Sequence, residues 1–484
     1  MGADFLTIQI RTISRLNYLQ QSLNKTVTVV GGGVAGISAA CALTEAGFRV
    51  QLVERRGYLG GRASSYLHPG VGEVIDNCQH VLFGCCTNLI GLYKRIGVLE
   101  KIHWTREMTM IEPGGRRSVL GPSWLPAPFH GLPKLLTAKA FTLADKLALA
   151  KAFGKLMRPV PQHSAETLEV WLHRNGQTPG AIEHFWRLVI ASALNADLDA
   201  ISVPDSAHVL HEVFLKSAQG GHMGMSTVPL SELYGDADRY LQARGCSVHY
   251  NSNIDSITWD EEALQWSVSD RAFPSDFLVL ALPFEATAKL LPQMPPAEGA
   301  IALAQRLSYR QHWPICSVHL WFDREITDLD HAVLLDREIH WMYNKGRIQP
   351  WRKLRGSYLE LVVSASRSFA ALDRNEAIAR AVRELAEFFP VMATAKLEKA
   401  ALIKEMHATS CAPPGVSADS GPLSPWPNCV LAGDWTATGW ASTMESAARS
   451  GHLAAEAVCA AIDAPKSFFV PDLKPTGLMR LIRN

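Results

Sequence analysis

Apolar positions along the chain follow two periods. Residues 27–30 form an unbroken β-branched run, Val27-Thr28-Val29-Val30, then three glycines, then an apolar helical pattern over 34–46. This is the signature of a buried strand that turns directly into a packed helix. Gly47 stands where a left-handed helix cap would, and residues 48–53 return to strand pattern before Glu54. Helical spacing recurs over 143–157, 181–194 and 377–389. Strand patterns appear at 247–250, 254–259, 264–269, 277–282, 315–322 and 358–363, and a last apolar strand at 429–432 precedes a helix over about 443–461. Strands thus return to the first sheet after a helical insertion, which predicts discontinuous domains.

The glycines add chemistry to this pattern. In Gly31-Gly32-Gly33-Val34-Ala35-Gly36, Gly31 permits the sharp turn, Gly33 lets the backbone approach a pyrophosphate, and Gly36 lets the helix pack closely. Phosphate charge would sit at the helix N-terminus, where free N–H groups and the dipole favour it. Glu54 lies 18 residues after Gly36, placed to accept hydrogen bonds from a ribose 2′-hydroxyl and to disfavour a 2′-phosphate, which argues against NADP. The bland alternative is a glycine-rich turn in an ordinary strand-helix-strand unit. Arg55 joins the expected cofactor residues, and Gly60-Gly61-Arg62 would carry an arginine across the phosphates or ring, a surface turn being the alternative.

The second strand-glycine-aspartate element, ending in Gly433 and Asp434, decides between nucleotides. An NAD site does not need it, whereas FAD is long enough to reach a second helix N-terminus. Asp434 could hold the ribityl chain, and backbone N–H groups near Thr443 and Met444 could favour negative charge on a flavin edge; for Asp434 the alternative is a helix N-cap.

Composition narrows the class. The 484 residues carry a formal charge of +1, which gives no footprint for nucleic acid. Only 19% of residues are charged while 13 are tryptophan, leaving apolar surface for a core, a substrate cavity or a membrane-facing patch. The nine cysteines show no CxxC spacing, which suggests reduced thiols in a cytosolic setting. Adjacent Cys85 and Cys86 read as small core residues rather than a redox pair. Residues 27–44 carry no charge, but the glycines and the strand-turn-helix pattern argue against a membrane span. Residues 1–24 contain Arg11 and Arg15 and no long apolar core, so they read as a disordered extension and not as a signal peptide. No metal-ligand spacing is apparent.

Asp76-Asn77-Cys78-Gln79-His80 clusters polar groups between two apolar runs, as residues lining a site do, although a lone histidine is more often structural. Trp124-Leu125-Pro126-Ala127-Pro128-Phe129 and the tail, with Lys466, Phe468, Phe469, Lys474, Leu478, Met479, Arg480, Leu481, Ile482 and Arg483, mix apolar and basic residues in a way that suits a bilayer surface. Packing against the protein's own body is the other reading.

Together, Gly31 to Gly36, Glu54, Gly60-Gly61-Arg62, Leu280-Ala281-Leu282-Pro283 and Leu431 to Asp434 resemble the FAD-dependent amine oxidase and phytoene desaturase superfamily. Within it, Asp76 to His80, Pro229 to Tyr234 and Ala432 to Trp440 resemble the hydroxysqualene dehydroxylases. The resemblance covers residues 26–461. Cys78 stands where that family usually has glycine, and Asp419-Ser420-Gly421-Pro422 replaces an arginine-proline pair.

The resemblance implies an α/β fold in which a Rossmann-like FAD-binding domain (residues 25–115, 220–283 and 424–465) interleaves with a mixed α+β substrate domain (116–219 and 284–423), followed by a tail at 466–484. It adds Gln79, His80 and Ile254 to the cofactor-binding residues and implies reductive removal of an allylic hydroxyl from a thirty-carbon isoprenoid. A departing hydroxyl needs a proton donor, for which His80 is the first candidate and Glu445 the second. Phe214, Trp341, Tyr343 and Trp440 are candidate substrate contacts. A single dinucleotide fingerprint and no dithiol motif imply an external electron donor or reductase. The expected location is cytoplasmic, peripheral on the inner face of a bacterial membrane. Three other readings stay open: a carotenoid-type desaturase, an amine oxidase with Trp435 and Trp440 as an aromatic cage, and a flavin-fold escort protein without chemistry.

Overall fold

The computed structural model describes residues 25–158, 160, 164–254, 256–269, 272–416 and 420–481. The expected extension at 1–24 and Asp419, Ile482 and Arg483 lie outside them.

A five-stranded parallel sheet organises the nucleotide end, in the order Ser247–His249, Arg49–Val53, Thr26–Val30, Phe277–Leu280, Cys429–Leu431. Helices cover it, and its strands Thr26–Val30, Phe277–Leu280 and Cys429–Leu431 are mostly apolar runs, whereas Arg49–Val53 and Ser247–His249 toward the other edge alternate. Val27, Val29, Leu52, Leu278 and Val279 are fully buried, and each such side chain contributes roughly 1.5–3 kcal/mol on leaving water. The register aligns Val30 with Val53 and with Leu280, and Leu280 with Leu431. Gly31, Glu54, Ala281 and Ala432 therefore all emerge at the carboxyl edge of one sheet, the edge at which parallel sheets bind ligands.

The helices Val34–Ala46 and Met444–Ala461 pack face to face on this sheet. A side-chain carbon at Gly451 would stand 2.3 Å from the Ala35 carbonyl oxygen, so glycine sets their approach. Gly47 ends the first helix with φ 99°, as expected of a left-handed cap.

The strands Ile257–Asp260, Gln265–Val268 and Phe273–Ser275 make their own antiparallel sheet. Among the described residues of that region, Ser247–His249 and Phe277–Leu280 are the ones that return to the first sheet.

A seven-stranded sheet forms the other half, in the order Leu397–Cys411, Gln311–Phe322, Ser357–Ser364, Trp341–Asn344, His331–Leu334, Met108–Ile111, Arg117–Leu120. Met108–Ile111 thus joins this sheet and not the parallel one. The hairpin extends the second sheet through Val333 and Leu334.

Helices between Leu132 and Leu215 cap the aromatic face of that sheet. Two stretches, Ile182–Ala191 and Leu210–Leu215, wind with wider than α-helical hydrogen bonding, as in the Lys216 N–H to His211 carbonyl bond of 2.8 Å. All nine cysteines are free, and Cys85 and Cys86 are buried, as small core residues should be. Among the described residues no helix is long and apolar enough to cross a membrane.

The tail lies on the protein's own body. The Leu478 N–H donates to the Ala127 carbonyl at 2.8 Å, Thr476 bonds Lys216 at 3.0 Å, and Met479 is buried in the helical core. Part of the tail thus packs on the protein itself, while Lys466, Lys474, Leu478, Arg480 and Leu481 are exposed.

Candidate functional site

Each glycine of the first turn has a distinct steric reason. The Gly31 N–H donates to Val53 at 2.8 Å, its φ is 107°, and a side-chain carbon there would lie 2.4 Å from the Ala281 oxygen. One at Gly36 would lie 1.8 Å from the Gly31 oxygen, so the helix could not close on the turn. One at Gly33 would meet no protein atom within 4 Å. That open cradle, at the N-terminus of a 13-residue helix, fits a pyrophosphate. The Gly60 N–H bonds the Gly32 carbonyl at 2.8 Å and pairs this loop with the turn.

Glu54 is buried at the strand end, where one carboxylate oxygen accepts from the Gly32 N–H at 2.7 Å and the other from the Arg56 N–H at 2.8 Å. Arg55 points to solvent. It is Arg56 that braces the loop, donating to the Gly61 carbonyl at 2.8 Å.

Arg62 joins the two distant motifs. Its guanidinium contacts Asp434 at 2.5 Å and donates to the Ala408 carbonyl at 2.9 Å. The other Asp434 oxygen accepts from the Ser442 hydroxyl. Burial works against this charge, yet Arg62 and Ser442 hold the Asp434 carboxyl below its ordinary value. Gly433 donates to Ser450 at 2.9 Å. The N-cap of the last helix is Thr443, which accepts from the Ser446 N–H at 3.2 Å, so Asp434 is free of that capping role. Met444 receives the Tyr234 hydroxyl at 3.8 Å. Ile254 is half-buried against the core beneath the carboxyl edge.

The polar run at 76–80 folds against the second sheet. Asn77 donates to the Arg62 carbonyl at 3.2 Å and to Glu405 at 3.0 Å, placing the run beside the nucleotide loop. Asp76 is fully enclosed, accepting from Ser65 at 2.5 Å and from the Leu230 N–H at 3.2 Å. The Lys345 ammonium reaches Asp76 at 2.6 Å, Gln79 at 2.8 Å and Glu360 at 3.5 Å. Burial disfavours this ammonium, but Asp76 and Glu360 raise its pKa and keep it charged. Glu360 is moved the other way: burial lifts its carboxyl above the usual range despite Lys345. One Glu360 oxygen accepts from Ser317 at 2.7 Å, and the other has no hydrogen-bond partner.

Lys345 and Glu360 were not singled out from the sequence. The available signal was a lone charge inside or just after an apolar strand, as in Trp341-Met342-Tyr343-Asn344-Lys345 and Tyr358-Leu359-Glu360-Leu361.

His80 holds one ring nitrogen 2.9 Å from the Cys78 carbonyl, which makes Nδ1 the protonated nitrogen. Burial lowers its pKa, so the ring is neutral and Nε2 carries a lone pair. Cys78 adopts φ 69°, a glycine-like conformation at the position where glycine was expected.

Glu445 is fully committed elsewhere. It accepts from the N–H groups of Asn88 at 3.1 Å and Leu89 at 2.8 Å, at the N-terminus of helix Thr87–Arg95, and from Arg449 at 2.7 Å. With its lone pairs used in tying two helices together, it is a structural carboxylate and not a proton donor.

Phe214, Trp341 and Tyr343 converge on one core, with Trp341 and Tyr343 stacked at 5.9 Å and Phe214 packed on Phe185 at 5.6 Å. Trp440 lies in the other core, 4.8 Å from His208 and 4.7 Å beneath Arg449. Trp435 is buried in a third cluster, with its N–H on the Leu282 carbonyl at 2.8 Å. The two tryptophans therefore do not form a cage.

Glu285, His312 and His407 bring three donor atoms within 4.8 Å of one another. The imidazole planes are parallel within 6° at 3.9 Å, so their in-plane lone pairs run side by side instead of converging on one point. This is an imidazole pair flanking a carboxylate, at 3.7 and 3.8 Å.

Known proteins resemble this chain along most of its length. The profile of the flavin containing amine oxidoreductase family matches residues 34–459. A 15-cis-phytoene desaturase of Synechococcus elongatus is 26% identical over 462 residues, 90% of this chain and 96% of that protein. A zeta-carotene desaturase of Synechocystis is 25% identical over 90% of this chain and 97% of its own length. The fold matches an oxidoreductase from Methanosarcina mazei, at a TM-score of 0.69 and 17% identity over 88% of this chain and 98% of that one. It also matches a putrescine oxidase, at a TM-score of 0.67 and 16% identity over 90% and 99% of the two chains. The glycine cradle, the Glu54 strand end and the second strand-glycine-aspartate element fit FAD, and this chain belongs to the flavin-containing amine oxidoreductase family as an FAD-dependent oxidoreductase.

Proposed function

We propose that the protein removes the allylic hydroxyl of hydroxysqualene reductively, giving squalene and water in squalene and hopanoid biosynthesis. The observation that carries this reading is the buried cluster of Asp76, Lys345, Gln79, His80 and Glu360 between the nucleotide loop and the aromatic core. A hydrocarbon substrate asks for no proton, whereas a departing hydroxyl does.

Held by the glycine cradle and the Gly433-Asp434 element, reduced FAD would supply hydride to the carbon that loses its hydroxyl. His80, its Nδ1 proton held by the Cys78 carbonyl, offers Nε2 as a hydrogen-bond acceptor that orients the substrate hydroxyl. Glu360, whose carboxyl burial raises above the usual range, shares the site with the Lys345 ammonium, and this pair is the source of the proton that converts the leaving hydroxide to water. Lys345 fixes Gln79 and Asp76 around them. Phe214, Trp341 and Tyr343 supply apolar contact for a thirty-carbon chain. Electrons come from an external donor or reductase in the cytoplasm.

A carotenoid-type desaturation is the second reading, favoured by the full-length similarity to phytoene and zeta-carotene desaturases. One anaerobic experiment separates them. Chemically reduced holoprotein mixed with hydroxysqualene should reoxidise its flavin in step with squalene formation. A flavin that stays reduced, together with oxidised protein that dehydrogenates phytoene, would replace the dehydroxylase reading with the desaturase.

A further inference from the structure

Two neighbouring helices of the cap turn leucines outward. Helix Leu132–Thr137 exposes Leu132 and Leu136, and helix Leu143–Leu156 exposes Leu143 at 71% and Leu147 at 64%. In each helix the pair is four residues apart, so both leucines share one face. The opposite face of the longer helix, with Leu149, Ala152 and Leu156, makes the core contact. The helices adjoin, since the Lys146 ammonium donates to the Leu136 carbonyl at 2.7 Å. The loop before them exposes Trp124 at 87%, and the tail is pinned to that loop through the Ala127 carbonyl, adding Leu481 at 80%.

Charge on the segments that form this face is mostly positive, with Glu107 and Asp336 at its border. Residues 121–158 contain Lys134, Lys139, Lys146, Lys151, Lys155 and Arg158 against the single acid Asp145. The Asp145 carboxylate is turned inward, accepting from Thr142 at 2.7 Å and from Thr178 at 2.5 Å. Glu107 neutralises Lys134 alone. The tail adds exposed Lys474 and Arg480 with no nearby exposed acid in residues 473–481. A chain of net charge +1 thus concentrates its positive charge around its largest run of outward leucines.

We propose that this face, formed by the loop at Trp124, the two leucine-bearing helices and the tail end at Leu481, docks on an anionic phospholipid bilayer. Outward leucines and tryptophan enter the acyl boundary while the lysine ring meets the headgroup phosphates. The inference stands on exposure and charge and does not depend on the reaction proposed above. A second copy of this chain would not match it, because the lysine ring would then face itself.

The test is co-sedimentation of the FAD-loaded full chain with vesicles of phosphatidylcholine alone or mixed with phosphatidylserine. The protein should bind the anionic vesicles and be released by salt. Leu143→Ser/Leu147→Ser should lower the bound fraction by about tenfold with flavin absorbance unchanged. Lys139→Glu/Lys151→Glu should abolish the preference for anionic lipid. Truncating the tail is avoided because Met479 is core. Equal partitioning of wild type and variants, or vesicle-free dimers that the leucine substitutions dissociate, would overturn the proposal.

Discussion

The Arg62 guanidinium and the Asp434 carboxylate lie 2.5 Å apart although 372 residues separate them in sequence. The pair fastens the loop crossing the first glycine turn to the turn before the last helix. One contact thereby joins the two glycine-bearing elements at the edge of the parallel sheet.

Removing Arg62 should leave a buried carboxylate without its counter-charge. Breaking a buried pair costs about 3–5 kcal/mol, and because the Arg62 side chain is 33% exposed the expected loss is on the order of 2 kcal/mol. Urea denaturation of Arg62→Ala checks the stability. FAD titration of the same variant should show weaker binding, and full retention of flavin affinity would contradict the placement of Arg62 at the cofactor.

Gly33 and Gly36 should respond differently to alanine. Gly33→Ala has open space in the protein and should fold normally but purify with little flavin, since the methyl group occupies the phosphate approach. Gly36→Ala drives a carbon into the Gly31 carbonyl and should fail to fold stably. Circular dichroism together with the flavin-to-protein absorbance ratio distinguishes the two outcomes.

Cys78→Gly should be close to neutral. Relief of the left-handed backbone is worth about 1–2 kcal/mol, offset by greater unfolded-state entropy of about 0.4–1 kcal/mol and by the lost burial of the thiol. Cys78→Val places a β-branched residue at φ 69° and should destabilise clearly. A melting temperature for Cys78→Val at or above that of Cys78→Gly would refute the strain argument.

Glu445→Ala should act on stability and not on chemistry. It frees the Asn88 and Leu89 N–H groups and leaves Arg449 with Asp472 as its carboxylate partner, a loss on the order of 3 kcal/mol. His80→Ala should do the reverse, slowing single-turnover flavin reoxidation while leaving the flavin bound. A selective kinetic defect in Glu445→Gln would reopen its candidacy as a proton donor.

Acid should destabilise the fold through its buried histidines. Burial depresses both His319 and His452 to about 3, from an ordinary 6.5. In the unfolded chain they take up protons below about 6.5, whereas in the native state they do not until near 3. Stability from these groups is therefore full above pH 6.5 and declines across the window down to about 3. Urea midpoints measured across that window should fall steadily for wild type and less steeply for His319→Gln. A flat profile would contradict the burial of neutral imidazoles.

The sequence by itself determined the nucleotide half of the protein. Val27 to Gly36, Gly47 and Glu54 are neighbours along the chain, and local sterics dictate how they fold: a glycine that needs φ 107° and a strand without charge admit few arrangements. The helix Val34–Ala46 and the last helix, Met444–Ala461, follow from the same local rules. The backbone at Cys78, with φ 69°, became visible only in the structure, although the resemblance had marked the position as one where glycine is usual.

Only the tertiary structure decided what surrounds that half. Lys345 meets Asp76 across 269 residues, and Glu360 meets them from another strand of a seven-stranded sheet. No local pattern predicts which buried charge will find which partner, since register between distant strands is fixed by packing of the whole sheet. Arg55 and Arg56 both lie in the bend after Val53, where Arg55 is exposed and Arg56 turns back to the Gly61 carbonyl, a choice that loop conformation and not local pattern makes. Glu445 lost its candidacy to the N-terminus of a helix that starts 358 residues earlier, at Thr87. Met108–Ile111 pairs with His331–Leu334, distant in the chain, and that long-range pairing, which satisfies backbone groups on both strands, has no local sequence signal.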